Sequence, residues 1–559
     1  MNDFALLLIW FWPLLLAALA GLRHTAWTTV LAPLPALAVA IAMPVGTGLS
    51  LPWLLLGTEI GMDEKGRVFL LFSSLLWLAA SLYGVRDAAA GHQGIRYRVL
   101  FLLAMAGNLG LIVAQDLLSF YLGFTLMGLA AYGLIAHPAT RRARRAARRY
   151  LAWTIAGELL LFVAVAMLAM QHGGVMIFSA LSSNPNPPSE IAVALLIAGF
   201  GIKLALPGLH FWLPQAYAVT PAPAVAVLSG AMIKAGLLGW LRFLPPGNGE
   251  LADWGQALIM IGIAGIFLGL ILGLLQHRPR LLLGYSSISK MGVLTLGMGA
   301  VLAWPDAAPV LVSALALYAA HHALVKGGLF LGLGLIERGG LRPWLLAGLA
   351  FLAIALAGAP LTSGALAKSV LTASLPAEAG HLVSLLALSA FGTTLLMARF
   401  LLLVWRARAR ADASPAVEAI LAWILLLGLI ATVPFFIAET GQLFANLLPV
   451  SLAVIIAALA LAAAKLHTLP DVVRPVRHAT AMPVIHFRQA IRHLPGQWQT
   501  AGQQIQSSLH RVYARLLQGL PDNQAVLRFP GGENWRWQLA GGFWLTIGLS
   551  ILAAFIIAV

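Results

Sequence analysis

The sequence of 559 residues contains no cysteine, and only 10% of its residues carry a charge. Without cysteine the chain can hold no disulfide, no thiolate nucleophile and no cysteine-bound iron–sulfur cluster. No catalytic site and no metal or cofactor site can be recognised in the sequence. If the chain serves a redox machine, we expect the electrons to travel through another protein.

Hydrophobic residues make up 60% of the chain, and its mean hydropathy is +0.90. A soluble domain cannot hide so much apolar surface, whereas apolar runs of about 20 residues have the length that crosses a bilayer. We predict an all-α, polytopic membrane protein with about 16 spans. They lie near residues 4–21, 27–43, 67–84, 97–115, 117–136, 150–169, 190–206, 221–243, 254–275, 281–302, 308–335, 344–370, 382–405, 416–437, 447–464 and 538–558. The first run lacks a small-residue cleavage site, so we interpret it as a retained helix.

Basic residues give the net charge of +16 and indicate the orientation of the spans. They cluster in the short loops predicted after odd-numbered spans, and the positive-inside rule makes that side cytoplasmic and puts both termini outside. The pattern also makes nucleic-acid binding a poor interpretation. The clusters comprise Arg86, Arg96, Arg98, Arg141, Arg142, Arg144, Arg145, Arg148, Arg149, Arg278, Arg280, Arg338, Arg342, Arg406, Arg408 and Arg410. Lys65, Arg67 and Arg242 are exceptions on the other side.

Prolines and glycines interrupt the seventh and twelfth spans. Pro207 and Pro214 follow Lys203, while Pro360 and Gly364 precede Lys368. Proline removes a helical hydrogen bond and clashes with the preceding turn, so both helices are predicted to be broken. Broken helices at corresponding positions mark the transport site of inverted-repeat transporters. The five-span separation therefore predicts two inverted five-helix repeats.

The predicted organisation follows from these repeats. We expect N-terminal helices at 1–96, the repeats at 97–243 and 254–405, C-terminal helices at 416–464, a polar segment at 465–537 and a last span at 538–559. The polar segment has two open interpretations. It is either a helix lying along the membrane surface or a loosely ordered cytoplasmic loop. The first interpretation is supported by apolar residues that would form a stripe on one face of such a helix.

Several ionisable residues lie inside the predicted spans. Each charge at bilayer depth costs about 2.5–3.5 kcal/mol, so the group must face the bundle interior. Burial weakens an amine's hold on its proton and a neighbouring carboxylate strengthens it, as a proton relay requires. The candidates are Glu158, Lys203, Lys234, Lys290, His322, Lys326 and Lys368.

A purely structural role is also open for several of these residues. Lys290 and Asp116 lie near predicted helix ends, which favours simple interfacial placement. His321 could be a packing residue, and His210 could bond a carbonyl that the helix break frees. Lys203, Lys234 and Lys368 could instead form fixed salt bridges, with Glu158 as a partner of one of them.

The sequence resembles the antiporter-like membrane subunits of respiratory complex I, multisubunit sodium/proton antiporters and membrane-bound hydrogenases. The likeness covers about residues 60–405, and the late polar segment is similar to that of the complex I subunit with a lateral helix. Four motifs carry it: the segment from Gly201 to Pro214 with Thr220-Pro221-Ala222-Pro223 after it, the segment from Leu283 to Gly292, His322-Ala323-Leu324-Val325-Lys326, and the segment from Ala359 to Gly364 with Lys368.

The resemblance implies roles for these residues. Lys203 would be the central proton carrier, Lys234, His322 and Lys326 the connecting relay, and Lys368 the outlet. The sequence departs from the family pattern at Phe124-Thr125, where a Trp-Glu pair is usual, and Lys290 stands where histidine is common. Glu158 on the next span is a candidate replacement for the missing glutamate.

The favoured function is therefore a proton-conducting subunit of a multisubunit complex in the bacterial inner membrane, where a partner supplies or receives the energy. This partner could be a redox module or the soluble zinc protein of two-component inorganic-carbon uptake systems, whose membrane subunit belongs to the same family. The sequence is also compatible with a sodium/proton antiporter subunit and with a non-pumping scaffold. In every case the chain has no enzymatic site of its own, although it could belong to a translocase.

Overall fold

The computed structural model describes residues 2–20, 27–55, 57–85, 92–174, 176–182, 188–245, 249–407, 414–437 and 447–466. The predicted last span at 538–559 and the predicted polar segment at 465–537, apart from its first two residues, lie outside this part of the chain. Predictions for those segments stay predictions.

The described residues are mainly helical. The helices are α1 (Asn2–Leu19), α2 (Thr28–Leu31), α3 (Leu34–Ala42), α4 (Glu64–Gly84), α5 (His92–Val113), α6 (Leu117–Ala136), α7 (Arg141–Gln171), α8 (Phe178–Ser182), α9 (Glu190–Leu204), α10 (Leu213–Val219), α11 (Ala222–Gly230), α12 (Ala235–Phe243), α13 (Ala252–Leu274), α14 (Pro279–Ala303), α15 (Ala308–Gly339), α16 (Pro343–Ala357), α17 (Ser363–Ala373), α18 (Gly380–Ala407), α19 (Val417–Ile437) and α20 (Leu447–Leu466). Single 3-10 turns occupy Met232–Lys234, Gly249–Leu251, Pro305–Ala307 and Ala377–Ala379.

Within the described ranges, nine helical segments are long and apolar enough to cross a membrane, and five shorter apolar helices accompany them. The predicted multi-pass helical fold is confirmed. Helices occupy all fifteen predicted spans up to residue 464. Because the sixteenth lies outside the described residues, the total of sixteen stays a prediction.

Two local predictions were wrong. The arginine-rich stretch after the fifth span is helical, since α7 already begins at Arg141. The Thr140 hydroxyl caps it by accepting a hydrogen bond from the N–H of Ala143 at 3.0 Å, and alanine and arginine are both strong helix formers. Between α3 and α4 the chain also forms an unpredicted antiparallel hairpin of β1 (Gly48–Leu51) and β2 (Thr58–Gly61).

The predicted breaks in the seventh and twelfth spans are confirmed. Each first half, α9 or α16, has 15 residues and ends on a left-handed residue, Ala205 (φ 56°) or Gly358 (φ 87°). The backbone N–H groups close the same two hydrogen bonds at both ends, a Schellman motif that satisfies the last carbonyls of each half-helix. The third helices of the two predicted repeats, α7 and α15, also match in length, with 31 and 32 residues. These features support the two repeats, whose boundaries and inverted orientation stay predictions.

Helix α15 packs against helices of both predicted repeats, among them α11, α14, α16 and α17. It contacts both halves of the second broken helix, and its Phe330 also packs edge-on against Tyr217 in the second half of the first.

Candidate functional site: a buried series of lysines

The chain has seven lysines, and among those whose side chains the structure describes, five lie buried inside spans. These five, Lys203, Lys234, Lys290, Lys326 and Lys368, are called the lysine series below. Their exposed fractions are 5% for Lys203, 6% for Lys368 and 0% for Lys234, Lys290 and Lys326. Among the described residues, no carboxylate lies at ion-pair distance from any of the five. The fixed salt bridges that the sequence left open are therefore absent from this part of the structure.

Each ammonium group instead donates a hydrogen bond to a neutral oxygen. Lys203 Nζ donates to the Tyr150 hydroxyl at 3.2 Å, and Lys290 Nζ donates to Thr393 Oγ1 at 2.6 Å. The other three donate to backbone carbonyls: Lys234 to Ser229 at 2.7 Å, Lys326 to Leu283 at 2.8 Å, and Lys368 to Ala357. A neutral oxygen satisfies the donor and leaves the charge uncompensated.

The helix breaks hold the two outer lysines. Lys203 lies in the last turn of α9, two residues before the left-handed Ala205, and Pro207 has no N–H with which to bond the Lys203 carbonyl. Lys368 lies in α17 and donates to Ala357, the last residue of α16. A Cβ atom on Gly358 would lie 2.9 Å from Lys368 Nζ, so this position needs glycine both for its φ and for the space.

The other residues predicted to break the helices lie slightly differently. Pro360 is in the non-helical link between α16 and α17, but Pro214 and Gly364 are the second residues of α10 and α17. Proline fits the first turn of a helix because the N–H groups there have no helical partner. Pro214 therefore starts the second half-helix, and the break itself is at Ala205 to Trp212.

The middle of the series is at the centre of the bundle. Lys234 lies in the 3-10 turn between α11 and α12, a tighter winding inside an otherwise α-helical span. Its ammonium interacts electrostatically with Lys326, Lys326 interacts with Lys290, and Lys290 interacts with Lys368. Lys234, Lys326, Lys290 and Lys368 are thus successive neighbours.

Two histidines of α15 lie beside these lysines. His322 is fully buried, and neither of its ring nitrogens has a hydrogen-bond partner among the described residues. It interacts electrostatically with Lys234, Lys326 and Lys290. His321 Nδ1 lies 2.9 Å from the Ser363 hydroxyl at the start of α17, so His321 contacts the break. The interpretation of His321 as a packing residue missed this contact.

The interfacial placement considered for Lys290 is wrong. Lys290 lies at the centre of α14, with no exposed surface. Asp116 does lie at a helix end, where its carboxylate accepts hydrogen bonds from the N–H groups of Ser119 (2.7 Å) and Glu59 (2.9 Å). Asp116 is therefore a capping residue of α6.

Glu158 is a buried acidic residue that interacts with the first lysine of the series. It is 7% exposed, and Oε1 receives no hydrogen bond from the described residues, although Glu158 and Lys203 interact electrostatically. The carboxylate reaches α6 beside Gly128, where a Cβ atom would lie 2.7 Å from Oε1. Gly128 is three residues after Thr125, so Glu158 comes close to the place of the missing acid on α6.

Small cavities lie next to the two outer lysines. The cavity beside Lys203 is lined by Phe124, Tyr150, Thr154 and Trp212, and the cavity beside Lys368 is lined by Tyr318, Thr372 and Ser389. Each is about large enough for one water molecule and has polar groups that could bond it.

Some residues of the site were not found from the sequence. Tyr150 bonds a lysine 53 residues away in the sequence, and Thr393 bonds a lysine 103 residues away. No local sequence pattern indicates such a pair. A weak signal exists for Tyr150, because residues 150, 154 and 158 follow the four-residue spacing of one helix face. Among the described residues, no cluster of histidine and acidic side chains could hold a metal ion.

The fold and the site define a polytopic helical membrane protein with a buried series of amines. Residues 114–392, about half of the chain, match the sequence family described as NADH:quinone oxidoreductase/Mrp antiporter, transmembrane. Over these residues the chain belongs to the antiporter-like membrane subunit family.

Individual proteins show the same likeness. The chain is 35% identical over 291 residues to NADH-quinone oxidoreductase subunit N of Desulforudis audaxviator, covering 50% of this chain and 56% of that protein. It is 28% identical over 290 residues to hydrogenase-4 component B of Escherichia coli, covering 49% and 43%. The match thus spans about half the length of these relatives.

Among solved structures, a chain of the Mrp complex from a Dietzia species superposes with a TM-score of 0.72 at 23% identity, over 100% of this chain and 63% of that one. At this identity the likeness concerns the fold. It confirms the helical architecture that the resemblance implied.

Proposed function

We propose that the chain conducts protons through the membrane along its buried lysines, as one subunit of a larger complex. The observation that carries the proposal is the set of five buried lysines that donate to neutral oxygens and lack carboxylate partners in the described structure. Static structural charges would be expected to be paired.

Because these lysines have no carboxylate partner, they can gain and lose protons, which a fixed salt bridge would prevent. Five buried ammonium groups without ion-pair partners, four of them successive neighbours, would cost far more than the net stability of an ordinary domain, about 5–15 kcal/mol. We infer that the series holds fewer protons than amines. A neutral amine next to an ammonium group can take its proton, so a proton moves along the series as successive lysines exchange charge.

The two ends of the lysine series are suited to the entry and exit of protons. Lys203 and Lys368 each lie at a broken helix and next to a small cavity. Non-helical backbone at membrane depth is tolerated where it lines a water-filled space. Glu158 supports the entry side, since it is close enough to Lys203 to stabilise the ammonium form when the carboxylate is charged. In this respect it takes the place of the acid missing at Phe124-Thr125.

A partner subunit would supply the energy for this transport or receive the energy that the transport releases. The relatives named above are subunits or components of larger enzymes by their own names, which supports a redox module as the partner. We place the complex in the bacterial inner membrane, with the arginine-rich start of α7 in the cytoplasm and both termini outside.

A direct test uses the purified complex in proteoliposomes that contain a pH-sensitive dye. The Lys203→Met variant should lose proton flux, because methionine matches the length of lysine and carries no proton. Lys65→Met is the matched control, since Lys65 lies at the start of α4, donates to the carbonyl of Leu241 and is not part of the series. Full flux in Lys203→Met would refute proton conduction by this chain.

The absent acid at Phe124-Thr125 favours one second candidate, the membrane subunit of an inorganic-carbon uptake system with a soluble zinc partner. Metal analysis of the co-purified complex separates the two. Zinc in a soluble subunit supports carbon uptake, and iron–sulfur clusters support a respiratory or hydrogenase complex. Flux that follows sodium instead of pH would indicate a sodium/proton antiporter.

A further inference from the structure

The buried series has one gap, which lies between Lys203 and Lys234. Lys234 interacts with Lys326, whereas Lys203 interacts with Glu158. Tyr150 contacts Lys203, and Tyr217 interacts with Tyr150 and bonds the carbonyl next to the one that Lys234 bonds. Both tyrosines are buried, with exposed fractions of 1% and 0%.

The Tyr150 hydroxyl bonds Lys203 directly, and the Tyr217 hydroxyl bonds the backbone next to the acceptor of Lys234. Tyr150 Oη accepts the hydrogen bond from Lys203 Nζ at 3.2 Å and donates to the Gly128 carbonyl at 3.2 Å. Tyr217 Oη donates to the Leu228 carbonyl at 3.4 Å, a long and weak bond. Lys234 Nζ donates to the next carbonyl along the chain, that of Ser229, at 2.7 Å.

A tryptophan fixes the distance between the two phenol rings. Trp212 packs edge-on against Tyr150, with ring centroids 5.1 Å apart, and against Tyr217, with centroids 6.4 Å apart. Its indole N–H donates to the Ile202 carbonyl at 2.8 Å, so the ring is held by the backbone of α9. The Tyr150 and Tyr217 side chains interact electrostatically. The cavity that Lys203, Tyr150 and Trp212 line, without Tyr217, has room for about one water molecule.

We propose that Tyr150 and Tyr217, with water between them, relay protons from Lys203 to Lys234. This relay rests on the proposed proton conduction. The Tyr150 hydroxyl first turns from the Gly128 carbonyl to water. It then passes its own proton to the water while Oη takes a proton from Lys203 Nζ. The water passes a proton to Tyr217 Oη, whose own proton moves on, directly or through water, to the neutral Lys234 amine. Lys203 ends with one proton fewer, Lys234 with one more, and both phenols and the water end neutral.

The test compares Tyr150→Phe, Tyr217→Phe and the double variant in reconstituted proteoliposomes. Phenylalanine keeps the ring packing on Trp212 and removes only the hydroxyl. Each single variant should lower proton flux by about 100-fold, the low end for loss of a positioned proton-transfer group. The double variant should be no slower than the slower single one, because both hydroxyls belong to one path. Tyr132→Phe, on the half-buried part of α6, is the control and should keep full flux.

The outcomes separate the relay from proton conduction itself. If Lys203→Met abolishes flux but Tyr217→Phe keeps the full rate, the relay is wrong and the proposed function stands. Losses that multiply in the double variant, or that come with lowered thermal stability, indicate structural roles and also overturn the relay. Full flux in Lys203→Met, or no flux in the unaltered complex, overturns both.

Discussion

A residue with left-handed backbone conformation lies at each helix break. We expect matched substitutions of these two residues to change the stability of the protein in opposite directions. Gly358→Ala puts a Cβ atom on a residue with φ 87°, which costs about 1–2 kcal/mol. The new atom would also lie 2.9 Å from Lys368 Nζ and push it off the Ala357 carbonyl. Loss of a hydrogen bond to a charged group adds about 1.5–3 kcal/mol, so we expect a total loss of about 2.5–5 kcal/mol.

Ala205→Gly is the counterpart, since Ala205 has φ 56° at the corresponding position and only the backbone penalty is relieved. We expect this variant to be more stable by up to about 1 kcal/mol. Chemical unfolding in mixed micelles measures both changes, and proton flux should fall in Gly358→Ala alone. Unaltered stability and flux in Gly358→Ala would refute the reasoning about the second break.

Three further predictions concern single charged side chains. Arg242→Met removes the salt bridge to Asp63 at 3.0 Å and the hydrogen bond to the Ile112 carbonyl at 2.6 Å. Chemical unfolding should therefore show that the free energy of unfolding falls by about 3–5 kcal/mol. A fall below about 1 kcal/mol would mean that the ion pair is solvated. Burial raises the pKa of Asp63, but Arg242 and Lys65 outweigh it and hold that pKa below its ordinary value. The stability that Asp63 contributes is therefore complete above its unfolded pKa of about 3.9 and disappears as the pH falls through the lower folded pKa, so acid melting curves of Asp63→Asn should lack this step. Glu158→Gln keeps the shape and removes the charge near Lys203; flux should drop several-fold, and an unchanged rate would exclude Glu158 as the substitute acid.

Much of the fold could be predicted because the bilayer imposes length and polarity rules on every span. The apolar runs gave the positions of the described helices, and prolines next to lysines indicated both breaks. The exact break at Ala205 could not be predicted, since alanine rarely adopts a left-handed conformation. The helical start at Arg141 was missed because charge was taken as a loop signal, whereas helix propensity and the Thr140 cap determine the structure there.

The sequence predicted which types of residue form the site, but not which hydrogen-bond acceptor each lysine contacts. Lysines in apolar runs stand out because each is costly, so the series itself could be recognised. The neutral acceptors could not, because Tyr150 and Thr393 come from distant parts of the sequence. The placement of Lys290 at a helix end was an avoidable error, because the predicted span 281–302 already put it near the middle of a helix, as α14 does.

The central claim is that protons pass along one series of amines. It is tested most directly by replacing Lys234, Lys290 and Lys326 one at a time with methionine and measuring proton flux of the reconstituted complex beside Lys65→Met. A single series predicts that each of the three substitutions reduces flux to the background of empty liposomes, while Lys65→Met keeps it. Three variants that each retain a large share of the flux would contradict a single series.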